Sequence, residues 1–362
     1  MQDLQNICRE IYQQGRLQEY QSSLLTEWKT FTDKKIATLN IDNQERIEKI
    51  QREFSFLGPV EQFLNDDEIT EILINGTDKI WIEKQGILLE TEEYFILQEN
   101  LERFVRSILQ NCGRKIDRLR PFAEARLQDG SRFSVVMDPA AVGGYHVAIR
   151  KFSKKHRSLK DLEENSFLSK KASTLIEGFI KDRKNILISG ATGSGKTSLL
   201  NSLSGLISQK ERIITLEDTL ELQLQHRHVV RMETRPANTE GEGEISLQQL
   251  LRSSLRLRPD RIILGECRGA EVCELLQALN TGHQGSMATI HANSSRDALL
   301  RLELLLLLNS QGMNIKAAKT YIASAIQVVF HVEKINGLRR LQNISEVMGV
   351  EDDVFILRRH EV

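Results

Sequence analysis

The sequence predicts an α/β protein in two parts, preceded by a helical arm. Three observations carry that reading. From about residue 167, short β-branched runs alternate with helical segments, the pattern of a mostly parallel sheet covered on both faces. Between about residues 58 and 153, apolar and polar residues alternate singly, as in strands buried on one face. Residues 190–197 read GATGSGKT and fit G-x-x-x-x-G-K-[ST] at each fixed position, with an apolar strand before and a helix after.

Composition sets the limits. A chain of 362 residues suits two domains and an appendage, and 40% apolar residues suffice for real cores. The net charge is −1, so nothing global points to a polyanion partner. Cys8, Cys112, Cys267 and Cys273 are scattered, with no CxxC pair, which suits reduced thiols better than a disulfide or zinc framework. The opening MQDLQNICREIYQQG has no apolar h-region and so does not read as a secretory signal. The most apolar run, ALLRLELLLLL (298–308), is too short to span a bilayer and contains Arg301 and Glu303; it reads as a buried helix.

Each segment follows from its pattern. Residues 1–57 are polar with apolar positions at helical spacing, predicting two or three helices docked loosely or swapped onto a neighbour. Residues 58–153 hold the alternating runs EITEILING, KIWIEKQGILLE, GSRFSVVMDP and YHVAIRKF, with LQENLERFVRSILQNC as a helix between them: a small α+β domain. Residues 154–166 are charged and nearly free of large apolar residues, so they read as a linker. In 167–362 the strands are NILISG, RIITLED, RIILGE, SMATIHA and QVVFHVE, and a last antiparallel pair lies around RRLQNISEVMGV and VFILRRH.

The loop at 190–197 reads as a phosphate cradle. Gly190, Ala191, Thr192, Gly193, Ser194, Gly195, Lys196, Thr197 and Ser198 form the expected nucleotide-binding stretch. Its glycines let N–H groups turn toward a phosphate, and the helix start adds a favourable dipole. Lys196 would reach the β- and γ-phosphates and Thr197 would ligate Mg²⁺. TLED (215–218) ends a strand, so Glu217 and Asp218 leave the carboxyl edge of the sheet, where ligands bind in open α/β folds. Read alone, TLED is equally an acidic strand end that is merely solvated. RIILGE places Glu266 at the carboxyl end of its strand, whereas Asp260 stands at the entry end, so geometry favours Glu266 as the metal-side acid. In NTGHQGSMATIHANS, His283 lies in a Gly-rich turn and His291 ends a strand; an imidazole there can donate to a phosphate oxygen and sense it, although a lone histidine is more often structural.

The P-loop, TLED, GECRG and TGHQGSMATIHAN, in this order, resemble the secretion-ATPase superfamily, the RecA-like motors of type II and type IV secretion and of type IV and Tad pili. ITEILINGTDKIWIEKQG, ARLQDGSRFSVV, IRKF and VRMETRPANTEGEGEISLQQLLRSSLRLRPDRIILGE resemble the Tad/Flp pilus branch, and the likeness covers roughly residues 58–356. MDPAAVGG stands where that family usually has paired prolines, and Cys267 replaces an aliphatic residue. The cysteine-rich zinc module of type II secretion ATPases has no counterpart in this sequence. The resemblance implies a RecA-like core, ATP and Mg²⁺ as ligands, and a homo-hexamer acting on inner-membrane platform proteins from the cytoplasmic face. It implies Glu217 as general base, Thr197 and Glu266 on the metal, and His283 and His291 as couplers of nucleotide state. Arg132 and Arg150 would close over the γ-phosphate, and Arg231 and Arg235 are weaker candidates for a subunit contact. The alternatives are a type IV secretion traffic ATPase, a nucleotide-gated assembly factor that binds ATP but barely hydrolyses it, and a nucleic-acid motor with Arg252, Arg256, Arg258 and Arg261 as a polyanion track, which no interleaved aromatics accompany. No nucleic-acid partner and no membrane span are expected.

Overall fold

In the computed structural model, the described residues are 2–17, 25–38, 43–152, 158–235, 237, 242–335 and 337–362. The chain forms two compact units, 1–154 and 155–362.

The first unit begins with three helices, α1 (Gln2–Leu17), α2 (Leu25–Thr38) and α3 (Gln44–Glu53), and a short α4 (Glu61–Asn65). Strands β1 (Ile69–Asn75), β2 (Lys79–Lys84) and β3 (Ile87–Glu90) follow, then α5 (Gln98–Asn111), β4 (Phe122–Arg126), β5 (Arg132–Val136) and β6 (His146–Arg150). The strands form one antiparallel sheet in the order β3-β2-β1-β6-β5-β4. Its buried face is lined by Ile72, Ile74, Phe133, Val147 and Ile149, packed with Leu101, Phe104 and Val105 of α5. That alternation explains why the strands are legible in sequence.

The arm is docked on this unit. Leu4, Cys8, Ile11, Phe31, Ile50 and Phe54 form a cluster with Ile96 and Leu97. Glu53 clasps it: Oε2 accepts from Ile96 N at 3.0 Å, and Oε1 accepts from Leu97 N at 2.9 Å and from Asn100 Nδ2 at 2.8 Å. The carboxylate thus meets free N–H groups at the start of α5, where an acidic partner is favoured. The expected loose docking is replaced by a buried cluster, because the arm's apolar residues find a matching patch beside α5.

The second unit starts where a linker is expected. Residues 153–157 lie outside the described residues, but α6 (Leu159–Glu164) is a helix opened by a reciprocal Ser158–Asp161 capping box. Leu159 and Leu162, three apart, are buried against the core. The remaining elements are α7 (Lys170–Lys181), β7 (Ile186–Ser189), α8 (Lys196–Ser204), β8 (Ile213–Glu217), β9 (Val229–Glu233) and α9 (Leu247–Ser254). Then come β10 (Arg261–Cys267), α10 (Glu271–Asn280), β11 (Met287–Ile290), α11 (Ser295–Asn309), α12 (Ile315–Ala325), β12 (Val328–Ile335), β13 (Leu338–Glu351) and β14 (Val354–His360).

The sheet order is β14-β13-β12-β7-β11-β10-β8-β9. β12, β7, β11, β10, β8 and β9 run parallel, and β13 and β14 extend the sheet antiparallel. One apolar layer packs residues of α6, α7 and α8 on one face; another packs α9, α10, α11 and α12 on the other. β7, β8 and β11 are buried throughout, as strands covered on both faces must be. The run read as a buried helix is buried along one stripe: Ala298, Leu299, Leu302 and Leu306 of α11 are buried, but Leu300, Leu304 and Leu308 face solvent. Leucine occurs around most of this helix, so sequence hydrophobicity does not mark which stripe the sheet covers.

Candidate nucleotide site

The parallel strands deliver their motifs to one edge. Ser189, at the end of β7, pairs with Ile290 of β11. Leu264 of β10 pairs with Leu216 of β8. The residues that follow these strand ends therefore emerge side by side, at the carboxyl edge where open α/β sheets bind ligands.

The loop after β7 needs its glycines for distinct reasons. A Cβ on Gly190 would lie 2.3 Å from the carbonyl oxygen of Val332 on β12, so the loop passes too close for a side chain. Gly195 has φ 104° and is the N-cap of α8. Ser194 Oγ donates to Ala191 O at 2.8 Å and closes the turn. Lys196 is buried at the first turn of α8, and its Nζ donates to Gly190 O at 3.0 Å and Ala191 O at 2.9 Å. Thr197 and Ser198 follow on the same turn.

From Lys196 a chain of polar contacts crosses the edge. Lys196 Nζ lies 3.4 Å from His291 Nδ1, and His291 Nε2 lies 2.9 Å from Glu266 Oε1. Burial, and then the Lys196 charge, lower the His291 pKa, which keeps the ring neutral. A neutral ring fits both contacts, with Nδ1 accepting from the ammonium and Nε2–H donating to the carboxylate. Glu266 Oε2 accepts from Arg268 Nη2 at 2.8 Å, and Arg268 Nη1 lies 3.4 Å from Asp218 Oδ2. Lys196, His291, Glu266, Arg268 and Asp218 thus form one contiguous array. Arg268 is the member that sequence reasoning missed; an arginine one residue past a strand end reads as surface charge.

Glu217 ends β8, one residue before Asp218. It is 2% exposed; its Oε2 accepts from Glu221 N and Leu222 N, both at 2.7 Å, and its Oε1 from Thr215 Oγ1 at 3.2 Å. Burial pushes its pKa up to about 7, against the lowering effect of those hydrogen bonds.

Two sequence expectations are relocated, and the placement of Asp260 holds. His283 is not brought to this edge: its Nδ1 lies 3.2 Å from Pro259 O, in the turn that enters β11, at the opposite end of the sheet from His291. The two histidines flank one strand, and a strand separates its ends. Asp260 also stands at that entry edge, where Oδ2 accepts from Arg212 N at 2.7 Å. The polyanion track is broken up: Arg261 is 2% exposed and bonded to Glu211, and Arg252 is paired with Glu274.

In the first unit, Arg132 and Arg150 are direct Cα partners across β5 and β6. Arg126 pairs with Arg132, and Arg150 with Glu71, so the row continues on both sides. Alternation sets this row on the face opposite Phe133 and Ile149. In the second unit, Arg231 is an exposed residue of edge strand β9, and Arg235 Nε donates to Gly243 O at 2.8 Å.

A family model described as Type II/IV secretion system protein matches residues 54–337. The chain belongs to that family. Secretion-family relatives include a putative conjugal transfer protein of Mycobacterium tuberculosis, 34% identical over 312 residues that cover 84% of this chain and 88% of the relative. The type IV secretion system protein PtlH of Bordetella pertussis is 32% identical over 317 residues, covering 80% of this chain and 93% of that one. Among solved structures, the pilus retraction motor PilT has a TM-score of 0.56 at 21% identity, covering 83% of this chain and 80% of that chain. The ATPase DotB of Legionella pneumophila has a TM-score of 0.55 at 20% identity, covering 82% and 78%. At these identities the structural likeness is one of fold: a RecA-like core together with a smaller N-terminal domain. The family match assigns the chain to type II/IV secretion. No helix among its described residues is long and apolar enough to cross a membrane.

Proposed function

We propose that the chain is a homo-hexameric motor that hydrolyses ATP at the cytoplasmic face of an inner membrane and drives platform proteins of a pilus or secretion system. The observation that supports this best is the contiguous array from Lys196 to Asp218, built at one sheet edge from four separate motifs. Gly190 to Ser198 cradle the phosphates, with Lys196 leaving its own loop carbonyls for phosphate oxygens.

Thr197 and Glu266 would hold Mg²⁺. A hydroxyl and a carboxylate are hard oxygen donors that suit this ion, with phosphate and water completing the shell. When bound, the ion neutralises phosphate charge. Glu217 takes the proton of the attacking water through Oε1, which accepts a single hydrogen bond among those found at the carboxylate. Its pKa near 7 suits a base at neutral pH. His291 links the state of Lys196 to Glu266. Arg132 and Arg150 would supply permanent, forked charge to the γ-phosphate. His283 has no part in this scheme within one chain.

The relatives named for conjugal transfer and type IV secretion favour a secretion system over a Tad-like pilus. A prepilin and prepilin peptidase encoded beside this chain would favour the pilus. For hydrolysis itself, the test is Lys196→Ala, which should abolish nucleotide binding and turnover together. Nucleotide binding that survives this substitution would sink the assignment of Lys196. Turnover stimulated by DNA, with salt-sensitive affinity, would favour the nucleic-acid reading.

A further inference from the structure

We propose that Arg268 is a positioning residue of the nucleotide site, whose guanidinium forks across Glu266 and Asp218 and holds both strand-end carboxylates in one fixed array. The inference rests on the reading of this edge as the nucleotide site and adds a residue to it.

Topology creates the need. β8 and β10 are parallel neighbours, so Asp218 and Glu266 are delivered side by side with like charge. Glu221 lies in the same field and acts on Arg268 electrostatically. Like charges at such spacing repel and splay apart unless a cation lies between them. Arg268 is that cation, with Nη2 at 2.8 Å from Glu266 Oε2 and Nη1 at 3.4 Å from Asp218 Oδ2. A planar fork meets two separate carboxylates at once, which a lysine ammonium on a flexible stem does less well.

The backbone under Arg268 is built for this aim. Glu271 Oε1 accepts from Arg268 N at 2.5 Å and from Gly269 N at 2.8 Å. Glu271 is itself nearly buried, at the first turn of α10. The turn between β10 and α10 is therefore pinned from below, and the Arg268 side chain leaves it toward Asp218. On the far side His291 holds the other oxygen of Glu266. The carboxylate is gripped at both oxygens, so its plane is set by Arg268 and His291 together.

Phosphate affinity resides in the loop N–H groups and Lys196, which Arg268 does not touch among the contacts described. Loss of Arg268 should consequently misplace Glu266 and Asp218 while leaving nucleotide binding largely intact. Misplacement of a catalytic group by about 1 Å costs up to about 10²-fold in rate.

The test compares the full wild-type chain with R268Q, R268K, D218N and the R268Q/D218N double variant. Steady-state kcat and KM for ATP are measured beside the Kd of a fluorescent ATP analogue, with Mg²⁺ and in EDTA, and the melting temperature. In R268Q, kcat should fall by about 10- to 100-fold, with Kd in EDTA within about 3-fold of wild type and the melting temperature unchanged. R268K should recover part of kcat. The double variant should lie within about 3-fold of R268Q, because partners in one contact are not additive. R268Q with wild-type kcat overturns the inference alone. So does a parallel loss of kcat and of affinity in EDTA that R268K does not relieve, since that marks a general structural role. A wild-type chain that binds ATP without turning it over overturns the reading of the site, and this inference with it.

Discussion

At the scale of single residues, Glu217 carries the sharpest consequences. Its carboxylate is buried and its pKa is raised to about 7, so at neutral pH folding holds a costly charge. A base must be ionised to act, so kcat should rise with pH through a midpoint near 7. Glu217→Gln should remove that limb and lower kcat by about 10² or more while sparing nucleotide binding. Unchanged turnover in this variant would show that another group takes the proton. Stability moves the other way. The folded pKa lies above the unfolded value, so the contribution of Glu217 is fully present below about pH 4.5 and is lost as pH rises through about 7. Glu217→Gln should therefore melt higher than wild type at pH 8 and much like it at pH 4.5. The amide keeps an oxygen for the Glu221 and Leu222 N–H groups, and Thr215 can reverse its hydroxyl.

At the scale of elements, the phosphate loop and β12 are locked by contact rather than by sequence proximity. The carbonyl of Val332 occupies the space that a Cβ on Gly190 would need. Gly190→Ala must push the loop or the strand aside, and overpacking of this kind costs about 1–3 kcal/mol. The expected result is a lower melting temperature with nucleotide affinity reduced about 10-fold or more, since the cradle N–H groups move with the loop. Thermal melts and analogue binding on the purified variant check this; wild-type values in both would show slack that the geometry does not contain. Next to the loop, Ser189 Oγ lies 3.0 Å from Nδ1 of the buried His331, a second tie between β7 and β12.

At the scale of the whole molecule, the row of Arg126, Arg132 and Arg150 belongs to the first unit and the array of Lys196 to Asp218 to the second. If Arg132 and Arg150 serve the γ-phosphate, their contacts form chiefly around the reacting group. Interactions stronger in the transition state than in the ground state appear in kcat. Arg132→Ala and Arg150→Ala should each lower kcat at least 10-fold, roughly, with ATP affinity changed less than about 3-fold. Equal loss of both quantities would mark the arginines as ground-state binders, and no loss of either would remove them from the site.

The sequence by itself determined what short-range pattern can encode. The glycine spacing of GATGSGKT specifies a loop conformation, and single alternation specifies strands with one buried face. Strand ends at Glu217, Glu266 and His291 were legible because apolar runs stop there. β4 and β9 were not, since FAEAR and VVRME are half-exposed edge strands without a clean apolar run. The helix at 159–164 was hidden by the charges around its two leucines. Tertiary structure alone decided which charges meet. His283 and His291 look alike in sequence, yet one strand carries them to opposite edges. Arg261 reads as a free cation until Glu211 is found beside it. Arg268 gains its meaning only when parallel pairing of β8 and β10 brings Asp218 next to Glu266. Local backbone preference acts over a few residues, whereas electrostatic partnership is fixed by register between strands about fifty residues apart in the chain, and only folding sets that register.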